Sequence, residues 1–303
     1  MTKRELVLSA LRREPTERVP VGFWFHFMLE DLFGEDADRN IAAHKQYIAD
    51  YEPDFVKIMS DGFFGYPGDG EAPLGAEHPW IAAQARIVRE VVAAAGGVCC
   101  FYNVFAPATL LRVIMGDGQF LSELEQNPDK IKAKLDVIAS DFATLARLAM
   151  ENGADGIYFS VQNPASAISA ETYRRVLTPG EKSILAAVGN GINLLHCCGY
   201  GDNKNDLSIW TDYEAAAVNW ATAIEGLSLS KGRELFGGRC VLGGFDNREG
   251  GILMSGNEAA VRAEAKRLLA EAGTVGVILG ADCTVPPEFS PERLRWVREA
   301  AGL

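Results

Sequence analysis

Eight short runs of apolar, β-branched or aromatic residues recur along the chain, and they constrain its fold more than any other feature. Most runs are continuously hydrophobic, which is typical of strands buried on both faces of a parallel sheet. Patterns typical of helices lie between them, so strand and helix alternate eight times. The runs are residues 19–25, 55–59, 98–102, 156–159, 192–196, 217–220, 240–242 and 275–279.

This alternation predicts one α/β domain over residues 1–303, a (β/α)8 TIM barrel. A doubly wound open sheet is the alternative, because the count of eight depends on the short runs 217–220 and 240–242. Residues 2–5 predict an additional helix before the first strand. A barrel of this kind carries its active site at the C-terminal ends of its strands.

Several residue patterns predict where the helices begin. A serine, threonine or asparagine followed three residues later by glutamate has the spacing of a capping box, and proline is favoured at the first helical position. Capping boxes are predicted at residues 2–5, 178–181 and 255–258, and proline-led starts at 127–129 and 290–292. The segment 61–79, rich in glycine and proline, is predicted to be a long loop over the barrel mouth.

The composition excludes several classes of protein. Of 303 residues, 48% are hydrophobic and 23% are charged, which is typical of a globular chain rather than a disordered or fibrous one. No apolar run reaches about 18 residues and no signal peptide follows Met1, so we expect a cytoplasmic protein without a membrane span. The formal net charge of -12 argues against a nucleic-acid partner.

Six cysteines occur in a chain that is expected to work in a reducing compartment. There they should be free thiols, metal ligands or nucleophiles rather than disulfides. Cys99, Cys100 and Cys240 fall inside or at the start of strand runs, away from the C-terminal ends, and we interpret them as core residues.

Polar and metal-capable side chains follow the predicted strands at their C-terminal ends. They are His26, Asp61, Asn103, Gln162, Asn163, His196, Cys198, Asn219, Asp246, Asp282 and Cys283. Because the interior of a barrel is otherwise apolar, this gathering indicates an active site at that end.

His196, Cys198 and Cys283 form the strongest chemical signal. Residues two apart on an extended segment point the same way, so His196 and Cys198 share a face while Cys197 points elsewhere. Cys283 follows the eighth strand and comes from another wall of the barrel. One imidazole and two thiolates suit Zn²⁺ and leave a fourth position open for water or substrate. The alternative is that all three are ordinary core residues.

Motifs along nearly the whole chain carry a family resemblance. They are Glu17-Arg18-Val19-Pro20-Val21, Asp54-Phe55-Val56-Lys57-Ile58, Gly153-Ala154-Asp155-Gly156, Leu194-Leu195-His196-Cys197-Cys198-Gly199, Gly243-Gly244-Phe245-Asp246, Gly280-Ala281-Asp282-Cys283-Thr284-Val285-Pro286 and Ser290-Pro291-Glu292-Arg293-Leu294. Their order resembles the uroporphyrinogen decarboxylase superfamily, and within it the zinc-dependent methyltransferases that act with methylcobalamin. The His-x-Cys-Gly and Gly-x-x-Cys-x-x-Pro motifs are the most discriminating.

The resemblance implies a function and a set of cofactors. His196, Cys198 and Cys283 would be zinc ligands, and the enzyme would move a methyl group between a corrinoid (methylcobalamin) and a thiol or a related small molecule. No corrinoid-binding module is visible in the sequence, so the corrinoid would arrive free or on a separate corrinoid protein. The sequence leaves open whether the chain forms a homo-oligomer.

The segment 22–28 departs from the decarboxylase pattern. In the decarboxylases the corresponding stretch is rich in arginine and holds the carboxylates of the porphyrinogen, whereas here it contains no arginine. Asp61 resembles the essential aspartate of the decarboxylases, so a decarboxylating lyase stays the alternative function. Asp61 is equally well explained as a loop-capping residue before Gly62.

Further site residues are assigned from their positions at the mouth. Asp61 and His26 are the catalytic candidates, and Trp24, Gln162, Asn163 and Asp246 are the substrate-binding candidates. An aromatic cover of the mouth, or plain core, is predicted for Phe23, Trp24, Phe63, Phe64 and Tyr66. Three other functions stay open for the same barrel: another zinc-dependent reaction, a metal-free lyase and a binding protein.

Overall fold

The structure, a computed structural model, describes residues 1–27, 37–59, 61–163, 167–202 and 204–302. Its strands are β1 (Val21–Gly22), β2 (Phe55–Ile58), β3 (Cys99–Phe105), β4 (Gly156–Val161), β5 (Ile192–Cys197), β6 (Ala217–Trp220), β7 (Cys240–Phe245) and β8 (Val277–Ala281). Within the described residues these eight strands form one parallel sheet in the order β1-β8-β7-β6-β5-β4-β3-β2. The N–H of Asp54 also donates to the carbonyl oxygen of Val21, so the sheet is nearly closed into a barrel.

Helices connect the strands and surround the sheet, as parallel pairing requires. They are α1 (Lys3–Leu11), α2 (Ala37–Tyr51), α3 (Pro79–Ala94), α4 (Pro107–Met115), α5 (Asp117–Gln126), α6 (Pro128–Glu151), α7 (Ala170–Thr172), α8 (Thr178–Ala187), α9 (Thr222–Glu225), α10 (Leu229–Leu235), α11 (Ile252–Ser255), α12 (Glu258–Ala272) and α13 (Pro291–Ala300). The predicted TIM barrel with an N-terminal helix is confirmed, and the open sheet is excluded. Across the described ranges no helix combines the length and the apolar character that a membrane crossing needs.

The strands are buried on both faces because each face packs against a different hydrophobic cluster. One cluster fills the barrel interior and contains alternate strand residues, among them Phe101, Leu194 and Ile278. Val7 and Leu11 of α1 belong to the same cluster, so the N-terminal helix covers the bottom of the barrel. The second cluster lies between the sheet and the outer helices. This double burial explains why the strand runs are continuously hydrophobic.

A partly buried ion pair joins the segments that precede β1 and β2 at the bottom of the barrel. The guanidinium of Arg18 donates two hydrogen bonds of 2.6 Å to the carboxylate of Asp54, which also accepts from the N–H of Val21 at 2.8 Å. Asp54 is fully buried, so these donors are needed to offset the removal of its charge from water. This ion pair explains what the motifs around Arg18 and Asp54 do in the structure.

The strand bounds differ from the predicted runs mainly at β1. This strand covers Val21–Gly22 rather than residues 19–25, because beyond Gly22 the carbonyl oxygen of Trp24 accepts from the N–H of Val285, outside the sheet ladder. A Cβ at Gly22 would lie 2.0 Å from the ring of Phe55, so β1 approaches β2 more closely than any other residue type allows. β7 continues past its predicted run to Phe245, and β8 begins later, at Val277.

Helix starts follow some of the predicted patterns. Thr2 and Glu5 form the predicted capping box of α1, and both α6 and α13 begin at a proline. At the start of α12 the side chain of Asn257 is the cap, so the capping box predicted from Ser255 is wrong. Ser255 is instead the last residue of α11, which ends just before α12 begins.

The segment 61–79 was predicted to lie over the barrel mouth, and this is wrong for most of its length. It starts with a 3₁₀ turn, Asp61–Gly65, and then runs along α6. There the carboxylate of Asp141 accepts from the hydroxyl of Tyr66 at 2.6 Å and from the N–H of Leu74 at 2.9 Å. Phe64, in the first turn, stays at the mouth with its ring 6.4 Å from the ring of His26.

Residues 178–181 do not form the predicted capping box. A helical stretch runs from α7 through a π-helical turn, Tyr173–Leu177, into α8, so Thr178 has no helix end to cap. The carboxyl group of Glu181 instead accepts hydrogen bonds from the hydroxyls of Tyr173 (2.7 Å) and Tyr213. Burial raises the pKa of Glu181 to about 7, although the two hydroxyls act in the opposite direction.

We expect Glu181 to make the stability of the fold depend on pH. The folded state keeps its proton between the usual glutamate value of 4.5 and about 7, so the free energy of unfolding falls as pH rises through this window. Glu181→Gln removes this loss and gains stability relative to wild type from about pH 5 to about pH 8. Urea unfolding measures the gain, and the exposed Glu214→Gln is the control. A gain that does not change with pH contradicts the assignment.

Candidate metal centre

The C-terminal halves of β4, β5 and β6 place polar side chains inside the barrel. Ser160, His196 and Asn219 are neighbours in the parallel register, and all three are buried. Buried polar groups are costly unless they are hydrogen-bonded, so each of them needs a partner. This layer lies at the end of the strands where barrels carry their active sites.

The imidazole of His196, on β5, has a fixed orientation and tautomer. Its Nδ1 is hydrogen-bonded to Oδ1 of Asn219 on β6. Nδ2 of Asn219 donates to the carbonyl oxygens of Leu242 (2.9 Å) and Ala281 (3.2 Å), so Oδ1 must accept and Nδ1 of His196 carries the proton. A Cβ at residue 243 would lie 2.8 Å from that Nδ2, so Gly243 provides the space that the amide of Asn219 needs. Nε2 of His196 therefore keeps its lone pair, the form that binds a metal.

Cys198 and Cys283 bring two thiols beside that nitrogen. Sγ of Cys283 lies 3.5 Å from Nε2 of His196 and 3.8 Å from Sγ of Cys198. The three atoms lie within 4.8 Å of one another, and they are the only such group of three in the part of the chain that the structure describes. Both cysteines are half-buried, which leaves a side of the centre for a further ligand.

Amide contacts hold the backbone of Cys198 in place. Its N–H donates to the carbonyl oxygen of Val161 at 2.8 Å, and its carbonyl oxygen accepts from Nδ2 of Asn205 at 3.0 Å. The side chain of Asn205 also accepts from the N–H of Asn163 (2.7 Å) and donates to the carboxylate of Glu225 (3.0 Å). Such a network fixes a ligand before a metal arrives.

Asp282 anchors the turn that carries Cys283. Its carboxyl group accepts from the hydroxyl of Thr222 (2.8 Å) and from the N–H groups of Ala223 (2.9 Å) and Gly244 (3.3 Å). These bonds join the end of β8 to α9 and β7. Burial raises the pKa of Asp282 to about 7, and the three donors act in the opposite direction.

The thiol of Cys283 differs from a core thiol in its pKa. A hydrogen bond from Cys198 is the main cause that holds the pKa of Cys283 well below its usual value, and the Lys57 ammonium acts in the same direction, although burial opposes this. Burial raises the pKa of Cys240, in the barrel interior, to about 12. An acidified thiol, a second thiol and an imidazole nitrogen with a free lone pair fit zinc, whose preferred ligands are thiolate sulfur and imidazole nitrogen.

Trp24 forms part of the floor beneath the centre. Its ring lies 6.1 Å from the ring of His196 and 5.3 Å from the ring of Tyr158. The ammonium of Lys57 lies over both aromatic rings, 4.8 Å from that of Trp24 and 4.1 Å from that of Tyr158. Trp24 therefore lies beside the centre, and its substrate-binding role stays a prediction.

Asn163 and Asp246, two other predicted substrate residues, have partners of their own. Nδ2 of the buried Asn163 donates to the carbonyl oxygen of Ile168 at 3.0 Å. Asp246 follows β7, and the guanidinium of Arg248 binds its carboxylate at 2.8 Å and lowers its pKa. A substrate group at Asp246 would have to compete with this arginine.

His26, Gln162 and Asp61 complete the predicted site. His26 and Gln162 are half-buried and do not belong to the three-residue cluster. Asp61 begins the 3₁₀ turn after β2, and its side chain lies outside what the structure describes. The catalytic and binding roles of the three residues stay predictions.

The predicted aromatic cover is wrong for three residues. Phe23, Phe63 and Tyr66 pack in the cluster between the sheet and the helices. Trp24 and Phe64 remain near the centre and the mouth.

The remaining cysteines behave as the sequence predicted. Cys99, Cys100 and Cys240 are buried core residues, and Cys197 points away from the centre into the outer cluster. None of the six cysteines forms a disulfide bond.

Sequence reasoning missed the supporting residues of the centre. Asn219 and Asp282 lie at strand ends that the sequence marks as polar. Their hydrogen-bond partners, however, depend on the register between strands. Lys57 offered a clear signal, because a lysine inside the continuously buried run 55–59 has to face either the barrel interior or the outer core.

The fold and the site define a (β/α)8-barrel protein with a His-Cys-Cys centre, suited to a metal, at the C-terminal ends of its strands. Residues 70–302 match the uroporphyrinogen decarboxylase (URO-D) family. The chain belongs to this family, as its motifs predicted. No curated protein sequence shows significant similarity to the chain.

Solved structures share this fold. A methyltransferase from Methanosarcina mazei superposes with a TM-score of 0.79 at 20% sequence identity, over 99% of this chain and 98% of that chain. A Listeria monocytogenes protein, provisionally assigned as a vitamin-B12 independent methionine synthase, superposes with a TM-score of 0.54 at 13% identity, over 95% of this chain and 97% of that chain. At these identities the similarity concerns the fold.

We expect Cys198→Ser and Cys283→Ser each to lose bound zinc, because two ligands do not hold the ion against a chelator. Wild type should retain about one zinc per chain. Elemental analysis after dialysis against a weak chelator measures the content, and Cys240→Ala, a buried thiol outside the centre, is the control. Full zinc retention in both serine variants would overturn the ligand assignment.

Asn219→Ala should weaken zinc binding by about 10- to 100-fold, because the orientation and tautomer of His196 are no longer fixed. Competition with a chromophoric chelator measures the affinity. Asn193→Ala is the matched control, since the amide of Asn193 also donates to two carbonyl oxygens, those of Leu185 (3.1 Å) and Glu214 (3.2 Å), at the opposite end of β5. Equal losses in both variants would mean that Asn219 acts only on stability.

Proposed function

We propose that the protein is a zinc-dependent methyltransferase that moves a methyl group between a corrinoid and a thiol or a related small molecule. The observation that carries this proposal is the convergence of Nε2 of His196 with the thiols of Cys198 and Cys283 at the barrel mouth. Membership of the uroporphyrinogen decarboxylase family and the shared fold with a methyltransferase from Methanosarcina mazei support it.

In this proposal His196, Cys198 and Cys283 would hold the ion, and the partly accessible side of the centre would receive the sulfur of the substrate. Zinc lowers the pKa of a bound thiol, so the sulfur is available as a nucleophilic thiolate at neutral pH. Asn219 keeps Nε2 of His196 free of its proton. Asp282 holds the turn on which Cys283 lies.

Fully buried aromatic rings lie beside the centre, and their exclusion of water favours methyl transfer over attack by water. The rings of Trp24 and Tyr158, both fully buried, form the floor. A dry, preorganised site aligns the sulfur with the methyl group and lowers the entropic part of the barrier.

We propose that the corrinoid reaches this centre from the barrel mouth, either free or bound to a separate protein. Both cysteines are half-buried and follow the C-terminal ends of β5 and β8, which lie at the mouth. Three side chains near this end of the barrel would contact the substrate or the corrinoid: the half-buried His26 and Gln162, and Asp246.

Decarboxylation is the second candidate, and membership of the uroporphyrinogen decarboxylase family favours it. Residues 22–27 contain no arginine, and Met28, the end of the predicted segment, lies outside the described residues. Arg18, the nearest arginine before this segment, is bound to Asp54. A substrate with several carboxylates would therefore need other cations at the mouth.

The test is methyl transfer by the zinc-loaded protein from methylcobalamin to a panel of small thiols. The absorbance change from methylcobalamin to demethylated cobalamin reports the transfer, and a methylated thiol is the product. His196→Ala should lower the rate by at least about 100-fold, because the thiol is no longer held as a thiolate on zinc. The Cys240→Ala control should keep the wild-type rate. Zinc-loaded protein that decarboxylates uroporphyrinogen and transfers no methyl group would establish the second candidate instead.

A further inference from the structure

Lys57 is an unusual residue for the interior of a barrel. Its side chain is only 4% exposed, and among the residues that the structure describes it is the only buried lysine or arginine. A buried ammonium is expensive, and it persists only where the surroundings favour the charge. The ring faces of Trp24 and Tyr158 supply part of that environment, because both rings lie within 5 Å of the ammonium.

The lysine belongs to the same compartment as the metal centre. The rings of Trp24 and Tyr158 lie 6.1 and 6.0 Å from the ring of His196, and the charge of Lys57 acts on the thiol of Cys283. A centre made of Zn²⁺, two thiolates and a neutral imidazole has no net charge. Binding an anion in the fourth position adds one negative charge to a site of low polarity, and a nearby cation offsets that cost.

Unused hydrogen-bond donors surround this compartment. Nε1 of Trp24, the hydroxyl of Tyr158 and Nδ2 of Asn103 are buried and have no hydrogen-bond partner among the described residues. Asn103 is oriented by Ser160, whose hydroxyl donates to its Oδ1 at 3.0 Å. Each buried donor without an acceptor carries a desolvation cost, and two of the three belong to the rings over which the Lys57 ammonium lies, so an acceptor with negative charge would be favoured here.

We propose that Lys57 makes this centre selective for an anionic ligand of the metal. The donors of Trp24, Tyr158 and Asn103 solvate the same negative charge. Lys57 acts through the charge of the metal-bound ligand and is a specificity-determining residue. The inference rests on the metal centre of the proposed function and adds that a neutral ligand is disfavoured relative to a thiolate.

The test uses the full chain loaded with Co²⁺, whose absorption bands report the ligands that bind to it. Two probes are titrated at one pH: 2-mercaptoethanol, which binds as a thiolate, and imidazole, which binds as a neutral molecule. Lys57→Met keeps the length of the side chain and removes its charge, while Lys57→Arg keeps the charge. Lys182→Met is the matched control, because Lys182 also lies over an aromatic ring, that of Tyr213, but on the outer helix α8.

In Lys57→Met the dissociation constant of 2-mercaptoethanol should rise about tenfold or more, while that of imidazole changes less than about twofold. Lys57→Arg should bind both probes as wild type does within about threefold, and Lys182→Met should not differ from wild type. Equal weakening of both probes in Lys57→Met, or no weakening of either, would overturn the inference and leave the metal centre standing. Failure of the wild-type protein to bind Co²⁺ or either probe would overturn the metal centre as well.

Discussion

The amide of Asn219 is the contact on which the geometry of the centre depends. One side chain accepts from Nδ1 of His196 on β5 and donates to backbone carbonyls of β7 and β8, so it joins three strands at the barrel mouth. Because an amide has one acceptor and one donor end, this arrangement leaves a single choice of tautomer for the histidine. The same amide bonds to β8 two residues before Cys283. Nε2 of His196 and one thiol are thus fixed relative to each other without a metal.

Charge distribution inside the barrel supports the same account. Most of the interior is apolar, yet the compartment around the centre contains a lysine, an imidazole and two thiols. Each is costly alone and becomes tolerable through its neighbours: the imidazole through Asn219, the lysine through aromatic ring faces, and the thiol of Cys283 through Cys198 and His196. This concentration of charge in one layer is expected of a functional site and not of a core that only stabilises the fold.

Much of the fold could be predicted from the sequence, because continuous hydrophobic runs separated by helical patterns leave few alternatives to a parallel barrel. The three residues of the centre could be placed from the same pattern, since parallel strands bring their C-terminal ends together. Details that depend on long-range contacts could not be predicted from the sequence. The end of β1 depends on a hydrogen bond to Val285, and the segment 61–79 follows Asp141 of α6 rather than the mouth. The partners of Asn219 depend on the register of four strands, which the sequence does not show.

X-ray absorption spectroscopy of the purified protein at the zinc edge tests the central claim most directly. The account predicts zinc with two sulfur ligands at about 2.3 Å and one imidazole nitrogen at about 2.0–2.1 Å, with the remaining position taken by a light atom. Addition of a small thiol should convert that position to a third sulfur. A protein that binds no zinc, or a zinc site without sulfur ligands, would contradict the account.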